Sequence, residues 1–418
     1  MSTLIDRLND NEQPEYIKKI AQHENIDVDQ FIQLVCEGKI VIPMNNAIPK
    51  PDPIAIGEKT RIKINANMGT SPNRCDADYE IEKVKVAIKY GADTIMDLSI
   101  AGNVSELRQK IIELYPIPIG TVPIYEAMIG LTSPDQLSIG QFLNVIEKQA
   151  KEGVDFMTIH AGLLKQQIPD IDKRLLGVVS RGGSLIVKWM RYHQKQNFTY
   201  EYFDDILAIA KEYDITMSLG DGLRPGCTAD SNDAAQLGEL NVLGELVQRC
   251  REQNVQVMVE GPGHVPLHLI QENITLQKTI CHQAPFYVLG PLVLDYATGY
   301  DHIAGAIGGA LAAYHGADFL CYVTPAEHLR LPTIDDVRDG VIASKIAAVA
   351  VDLSRNNPRE LERNRSMSLA RKQFDWESQK SMAIDTEKFT QYFEKGNTSD
   401  VPPCTMCGDW CAMKHKQG

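Results

Sequence analysis

Val255-Gln256-Val257-Met258-Val259-Glu260-Gly261-Pro262-Gly263-His264 decides how the chain is read. An apolar, β-branched run of strand length passes directly into a carboxylate, a Gly-Pro-Gly turn and an imidazole. The same arrangement recurs. Its strand-length runs are Ile62–Asn65, Thr94–Leu98, Ile119–Val122, Phe156–Ile159, Ile215–Leu219, Val255–Val259, Tyr287–Leu292 and Phe319–Val323. Amphipathic stretches separate them, among them Tyr79–Gly91, Ser138–Gly153, Tyr202–Tyr213, Ala234–Asn254 and Asp301–Gly316, several closed by glycine as helices commonly are. Short buried strands alternating with helices imply a parallel sheet. Eight such units predict an α/β fold, a closed (β/α)8 barrel of the TIM type, with an open doubly wound sheet as the alternative.

A barrel opens all its strand ends onto one face, where the chemistry of such folds is placed. At or past the ends of these runs stand Asn65-Ala66-Asn67, Met96-Asp97-Leu98-Ser99, Pro123-Ile124-Tyr125, His160-Ala161-Gly162, Asp221-Gly222-Leu223-Arg224, Glu260 to His264, and Thr324-Pro325-Ala326-Glu327-His328. The seventh run instead opens on Tyr287. Any one of these side chains is equally at home as a satisfied turn or cap; their joint recurrence argues for a site. Ser180-Arg181-Gly182-Gly183 and Asp221-Gly222-Leu223-Arg224-Pro225-Gly226 each pair a guanidinium with glycines whose N–H groups a ligand can approach, which suits a phosphate and its sugar. Neither matches a Walker or dinucleotide fingerprint. His264 and His328, beside Glu260 and Glu327, offer imidazoles for Zn²⁺ or Fe²⁺, with His302 as a substitute.

Composition narrows the function classes. Hydrophobic residues at 44% and charged residues at 23% are ordinary for a globular protein. A net charge of −13 argues against a general nucleic-acid or membrane-surface binder, because phosphate backbones reward positive charge. No apolar run approaches the roughly 18 residues of a spanning helix, and the N-terminus lacks an apolar leader core, so a cytoplasmic protein is expected. Cys36, Cys75, Cys227, Cys250, Cys281 and Cys321 are scattered without ligand spacing and read as reduced core or loop thiols.

Residues 1–50 read as a short helical segment, with Asp27 capping a helix through Cys36, and the proline-rich loop that follows places a boundary near Pro51. Residues 51–331 form the expected barrel with its substrate and metal site. Residues 332–418 read as a helical bundle, opened by the capping box Thr333-x-x-Asp336 and ending in a cysteine tail. In that tail Cys404, Cys407 and Cys411 are spaced C-x2-C-x3-C. Three thiolates fit a 4Fe–4S cube with one iron left open; with His415 as fourth ligand they equally fit a closed zinc knuckle.

In order along the chain, NANMGTSP, ADTIMDLS, IGTVPIYEA, DFMTIHAG, VSRGGS, SLGDGLRPG, VQVMVEGPGHVP, APFYVLGPL, GYDHIAGAIGGA, DFLCYVTPAEHL and the terminal CTMC and CAMK resemble the ThiC family of radical S-adenosylmethionine enzymes. The resemblance implies a barrel holding 5-aminoimidazole ribotide, a small phosphorylated substrate. It also implies a homodimer in which the cluster tail reaches the partner's active site, and an external one-electron donor. Cleavage of S-adenosylmethionine would then give a deoxyadenosyl radical that attacks the ribose. Carried across, the substrate contacts fall on Asn67, Met96, Tyr125, His160, Ser180, Arg181, Gly182, Asp221, Gly222, Leu223, Arg224, Glu260 and Tyr287, with Glu260, His160 and Asp221 in catalytic roles. His264 and His328 take a mononuclear Zn or Fe ion, and Cys404, Cys407 and Cys411 take the 4Fe–4S cluster.

Departures from the thiamin-pathway pattern set the expected product. Ile100, Thr298 and Val349 stand where that pattern has Thr, Pro and His, a His expected near Asn46 is absent, and the second cysteine gap is three residues where four are usual. Ribotide-holding motifs are kept while neighbouring polarity changes. The expectation is therefore the family's sister activity, which makes 5-hydroxybenzimidazole for cobamide (vitamin B12) synthesis. Hydroxymethylpyrimidine phosphate of thiamin synthesis is the alternative, and a non-catalytic zinc-binding paralogue is a more distant one.

Overall fold

The computed structural model describes residues 2–396 and 405–414. Strands β1 (Ile40–Val41) and β2 (Ile56–Gly57) form a small antiparallel pair. The remaining strands are β3 (Lys63–Met68), β4 (Thr94–Asp97), β5 (Ile119–Thr121), β6 (Phe156–Ile159), β7 (Thr216–Leu219), β8 (Val257–Gly261), β9 (Phe286–Leu289) and β10 (Phe319–Cys321). They close into a parallel barrel in sequence order, with β10 beside β3. Every run expected to be a strand is one, and the open-sheet alternative falls away.

The helices between strands end where their caps dictate. Ser138 and Gln141 form a capping box before the helix Ile139–Lys151, and Gly91, at φ 111°, stops Ala77–Tyr90 in the left-handed conformation glycine tolerates. β8 runs past its expected end because Glu260 and Gly261 pair with Tyr287 and Val288, so Glu260 is presented from a rigid strand. Inside the barrel, Phe319 stacks against Tyr287 at 4.3 Å and meets Phe156 edge-on at 6.4 Å, an aromatic filling on which the open end rests.

The other end is closed by the N-terminal segment. Helices Leu4–Asn9, Glu15–His23 and Val28–Cys36 bury Ile17, Phe31, Val35 and Ile40 in a core of their own. Polar anchors then tie this segment to the barrel floor. Gln256 accepts from Ile42 N–H (2.7 Å) and donates to Ile42 C=O (3.2 Å), and buried Lys63 pairs with Glu24 at 2.9 Å. Asp155 takes Asn45 N–H at 3.0 Å on one oxygen and Ile119 N–H at 2.8 Å on the other, with Lys50 Nζ 3.6 Å away.

Residues 1–348 and 349–418 form two compact units. In the second, Asn357 caps Pro358–Gln373, and Arg363 donates to Met382 C=O at 2.7 and 3.2 Å, joining that helix to Trp376–Met382. Trp376 packs on Phe393 of Thr386–Gly396 at 5.1 Å. Among the described residues no helix is long and apolar enough to cross a membrane.

Asp155 tests the floor. Replacing it by Ala orphans two buried N–H groups, and urea unfolding is expected to show a loss of about 2–4 kcal/mol. Burial, partly offset by Lys50, pushes its carboxyl from 3.8 up to about 7. Its folded pKa lies above the unfolded one, so its contribution is complete below 3.8 and is lost as pH rises through about 7. Asp155→Asn should flatten that part of the stability profile.

Candidate active site

The carboxyl ends of the strands enclose a cavity of about 270 Å³. Glu260 reaches into it from β8, its Oε1 accepting from Thr158 Oγ1 at 2.6 Å and Ser218 Oγ at 3.1 Å. Burial raises its carboxyl above the usual range, against these hydrogen bonds and the charge of Arg224. Asp221, just past β7, accepts from Arg224 at 3.0 Å through Oδ1, while its buried Oδ2 has no partner. Burial pushes Asp221 up to about 7, with Arg224 opposing and Glu260 reinforcing. One acceptor oxygen is thus held ready for a ligand hydroxyl or amine.

His160, past β6, is buried, and that burial, with the nearby Arg224 charge, drops its imidazole to about 3. It is a neutral ring at working pH. Gly182 lies against this ring, where an added Cβ would come within 2.3 Å of Cε1, so only glycine allows the turn to pass over it. That turn starts the helix Arg181–His193, whose N-cap Ser180 accepts from Gly183 N–H at 3.2 Å. The helix N-terminus and Arg181, whose guanidinium lies 4.8 Å from the Tyr125 ring centroid, favour an anion at the cavity edge.

Across the mouth, Asn65 joins the neighbouring strands. It donates to Tyr287 Oη and Asn67 Oδ1, each at 2.8 Å, and accepts from Thr94 at 2.7 Å. Asn67 in turn lies 3.3 Å from the Cys321 thiol through Nδ2, and its carbonyl accepts from Tyr322 at 2.8 Å.

The His264 and His328 rings stand 5.3 Å apart, from loops after β8 and β10. Each Nδ1 is paired with a carboxylate, Asp295 at 2.9 Å and Asp301 at 3.2 Å. This orientation leaves both Nε2 atoms for one ion, the arrangement in which outer carboxylates fix ligand histidines. Asp295 is itself held by Thr228, from N–H at 3.0 and 3.1 Å and from Oγ1 at 2.7 Å. The donor set fits a divalent ion. No group of three or more His, Cys, Asp or Glu ligands occurs among the described residues.

Of the residues expected from sequence, Asn67, Met96, Tyr125, His160, Arg181, Asp221, Arg224, Glu260 and Tyr287 line the cavity. Ser180, Gly182, Gly222 and Leu223 do not; Ser180 and Leu223 are fully buried and shape the turns. Asp97, part of the expected face, is turned into a buried cluster with Arg108 at 3.3 Å. His302 stacks on Tyr300 at 6.5 Å. Thr158 and Cys321 were not anticipated: Thr158 lies within a strand, and Cys321 carries no ligand spacing. Period-two counting back from His160 and forward from Phe319 would have placed both inward. In the tail, Cys407 is exposed and Cys411 buried, while Cys404 and His415 lie outside the described residues.

A closed parallel barrel with this mouth defines an enzyme of the (β/α)8 class that works on a small molecule. A family model described as the radical SAM ThiC family matches residues 3–418, and the chain belongs to that family. Its cofactors are accordingly S-adenosylmethionine and a 4Fe–4S cluster. Similar proteins named phosphomethylpyrimidine synthase include those of Methanocaldococcus jannaschii (52% identical, covering 96% of this chain and 95% of that one), Carboxydothermus hydrogenoformans (51%; 94% and 94%) and Moorella thermoacetica (49%; 95% and 94%). Among solved structures, a dihydropteroate synthase from Stenotrophomonas maltophilia is 11% identical over 76% of this chain and 99% of that one, with a TM-score of 0.44.

These relatives overturn the expectation of 5-hydroxybenzimidazole as product, and with it a place in cobamide synthesis. The structure supplies a reason why the substitutions misled. Ile100 lines a cleft that shares Asn67, Leu98, Arg181 and Glu327 with the cavity but is not itself among the residues lining the cavity of Glu260 and Asp221, and Thr298 is exposed and lines neither.

The paired carboxylates give a direct test. Asp295→Asn is expected to weaken Zn²⁺ or Co²⁺ binding by roughly 10- to 100-fold in a direct titration, with the fold intact by circular dichroism. His264→Ala should lower it further.

Proposed function

We propose that the chain is a phosphomethylpyrimidine synthase, converting 5-aminoimidazole ribotide to hydroxymethylpyrimidine phosphate. Full-length likeness at about half identity to proteins of that name carries the reading. The cavity supports it. Arg181, Arg224 and the start of the helix Arg181–His193 supply the positive charge and dipole a phosphate monoester needs. Asp221 Oδ2 suits a ribose hydroxyl, and Asn67 and Tyr287 lie where they can bond the remaining polar edge.

When bound, the cluster and S-adenosylmethionine supply a hydrogen-abstracting radical. The protein's own work is to hold the ribotide, exclude water and move protons. Asp221, at about 7, can give or take a proton near neutrality, whereas His160, at about 3, stays neutral and acts as a hydrogen-bonding ring. Glu260, fixed on two hydroxyls, is the second proton carrier. Cys404, Cys407 and Cys411 are the proposed cluster ligands and His264 with His328 the metal ligands. The exposed apolar side chains of Met406 and Trp410 beside Cys407 favour a tail that docks, in our reading into the partner's site of a homodimer, with an external one-electron donor reducing the cluster.

Product analysis decides the reading. The anaerobically reconstituted protein, given 5-aminoimidazole ribotide, S-adenosylmethionine and a strong reductant, should yield a phosphorylated pyrimidine by mass spectrometry; a phosphate-free benzimidazole would sink it. Cys407→Ala should lose cluster iron and sulfide and abolish S-adenosylmethionine cleavage, while ribotide binding stays within about twofold because the cavity is untouched.

A further inference from the structure

Glu239 belongs to the helix Ala234–Glu252, behind the cavity and outside its lining. It is a buried carboxyl, 2% exposed, and Oε2 accepts from Leu223 N–H at 2.7 Å. Its Oε1 faces the Gly222 backbone, whose N–H helps hold the carboxylate form, without reaching a hydrogen bond of full geometry. Two loops close on this side chain, and a third turn packs on the second of them. A Cβ at Gly162, after β6, would meet Glu239 Cγ at 3.0 Å; a Cβ at Gly222, after β7, would meet Glu239 Oε1 at 3.0 Å. A Cβ at Gly183, in the turn after Ser180, would come within 2.4 Å of Gly222 C=O. The Arg181 turn and the Asp221–Arg224 loop are therefore packed backbone to backbone, the His160 loop rests on the side chains of Leu243 and Glu239, and Glu239 supplies a polar anchor between them.

We propose that Glu239 is a positioning residue that sets the register of the two anion-binding turns and thereby the enzyme's affinity for its phosphorylated substrate. The proposal deepens the reading of this cavity as a ribotide site and rests on it. Glu239 does not touch the ligand; it acts through Leu223 and Gly222 on Asp221 and Arg224, and through Gly222 on Gly183. Burial, with the charge of Asp221 next to it, pushes its carboxyl up to about 8, against the N–H groups it accepts and the charge of Arg174. A neutral acid at this position lowers the cost of burying a weakly bonded oxygen, and it makes glutamine the near-isosteric replacement.

Two variants distinguish positioning from bulk packing. Glu239→Met keeps the volume and removes the acceptor; Glu239→Gln keeps both. Amide hydrogen exchange on the full chain is read in peptides covering 160–164, 180–184 and 220–226, with 94–97 as the control, and 5-aminoimidazole ribotide affinity is read by calorimetry without cofactors. Expected for Glu239→Met are exchange faster by roughly tenfold in the loop peptides alone and affinity lower by about 10-fold, with Glu239→Gln restoring both to near wild type. Unchanged loop exchange in Glu239→Met overturns the proposal. So does faster exchange that extends equally to 94–97, which marks a general packing defect. Should wild type fail to bind the ribotide, the substrate reading falls, while the exchange data still decide whether Glu239 sets the turns.

Discussion

Pairing of β10 with β3, Phe319 against Lys63 and Cys321 against Asn65, is the constraint from which the rest of the architecture follows. Once the first and last parallel strands meet, no sheet edge remains, and all carboxyl ends must open on one side. The catalytic candidates, far apart in sequence, have nowhere else to converge. Closure also creates an open floor at the opposite end. The N-terminal segment covers it through charged and polar anchors at Glu24, Asn45 and Lys50, groups that a purely apolar plug would not need.

Burial at the mouth changes what the side chains are. Asp221 moves up to about 7 and His160 down to about 3, both principally because desolvation penalises their charged forms. A site with two guanidiniums, several acids and an imidazole is thereby less densely charged than its residue list suggests. The cations that stay charged are the ones suited to a phosphate. The acids that lose part of their charge are the ones placed to carry protons. The paired histidines differ from His160 in their neighbours: their Nδ1 atoms face carboxylates, whereas the charge beside His160 is a cation.

Strand runs, their order and the reactive residues at their ends were legible because a parallel barrel writes itself as buried runs punctuated by polar turns, a local pattern. Glu260, Tyr287 and Arg224 could be picked out in this way. Residues that serve the site from within other elements could not. Thr158 sits mid-strand, Glu239 mid-helix and Asp295 in a loop, and their partners are 102, 16 and 31 residues away. Asp97 shows the converse: a strand-end acid that Arg108 draws into a buried ion cluster. The product was misread for a related reason, since Ile100, Thr298 and Val349 were judged by nearness in sequence to active-face motifs when only the folded cavity shows which side chains a substrate meets.

By itself the sequence determined the (β/α)8 class, the family's motifs and the residue types of the site, because periodicity, turn chemistry and motif order are local properties of the chain. Only the tertiary structure decided which acids are partly neutral, which histidines face one another, and which side chains line the cavity. Those are properties of burial and of distance between segments that no local pattern encodes.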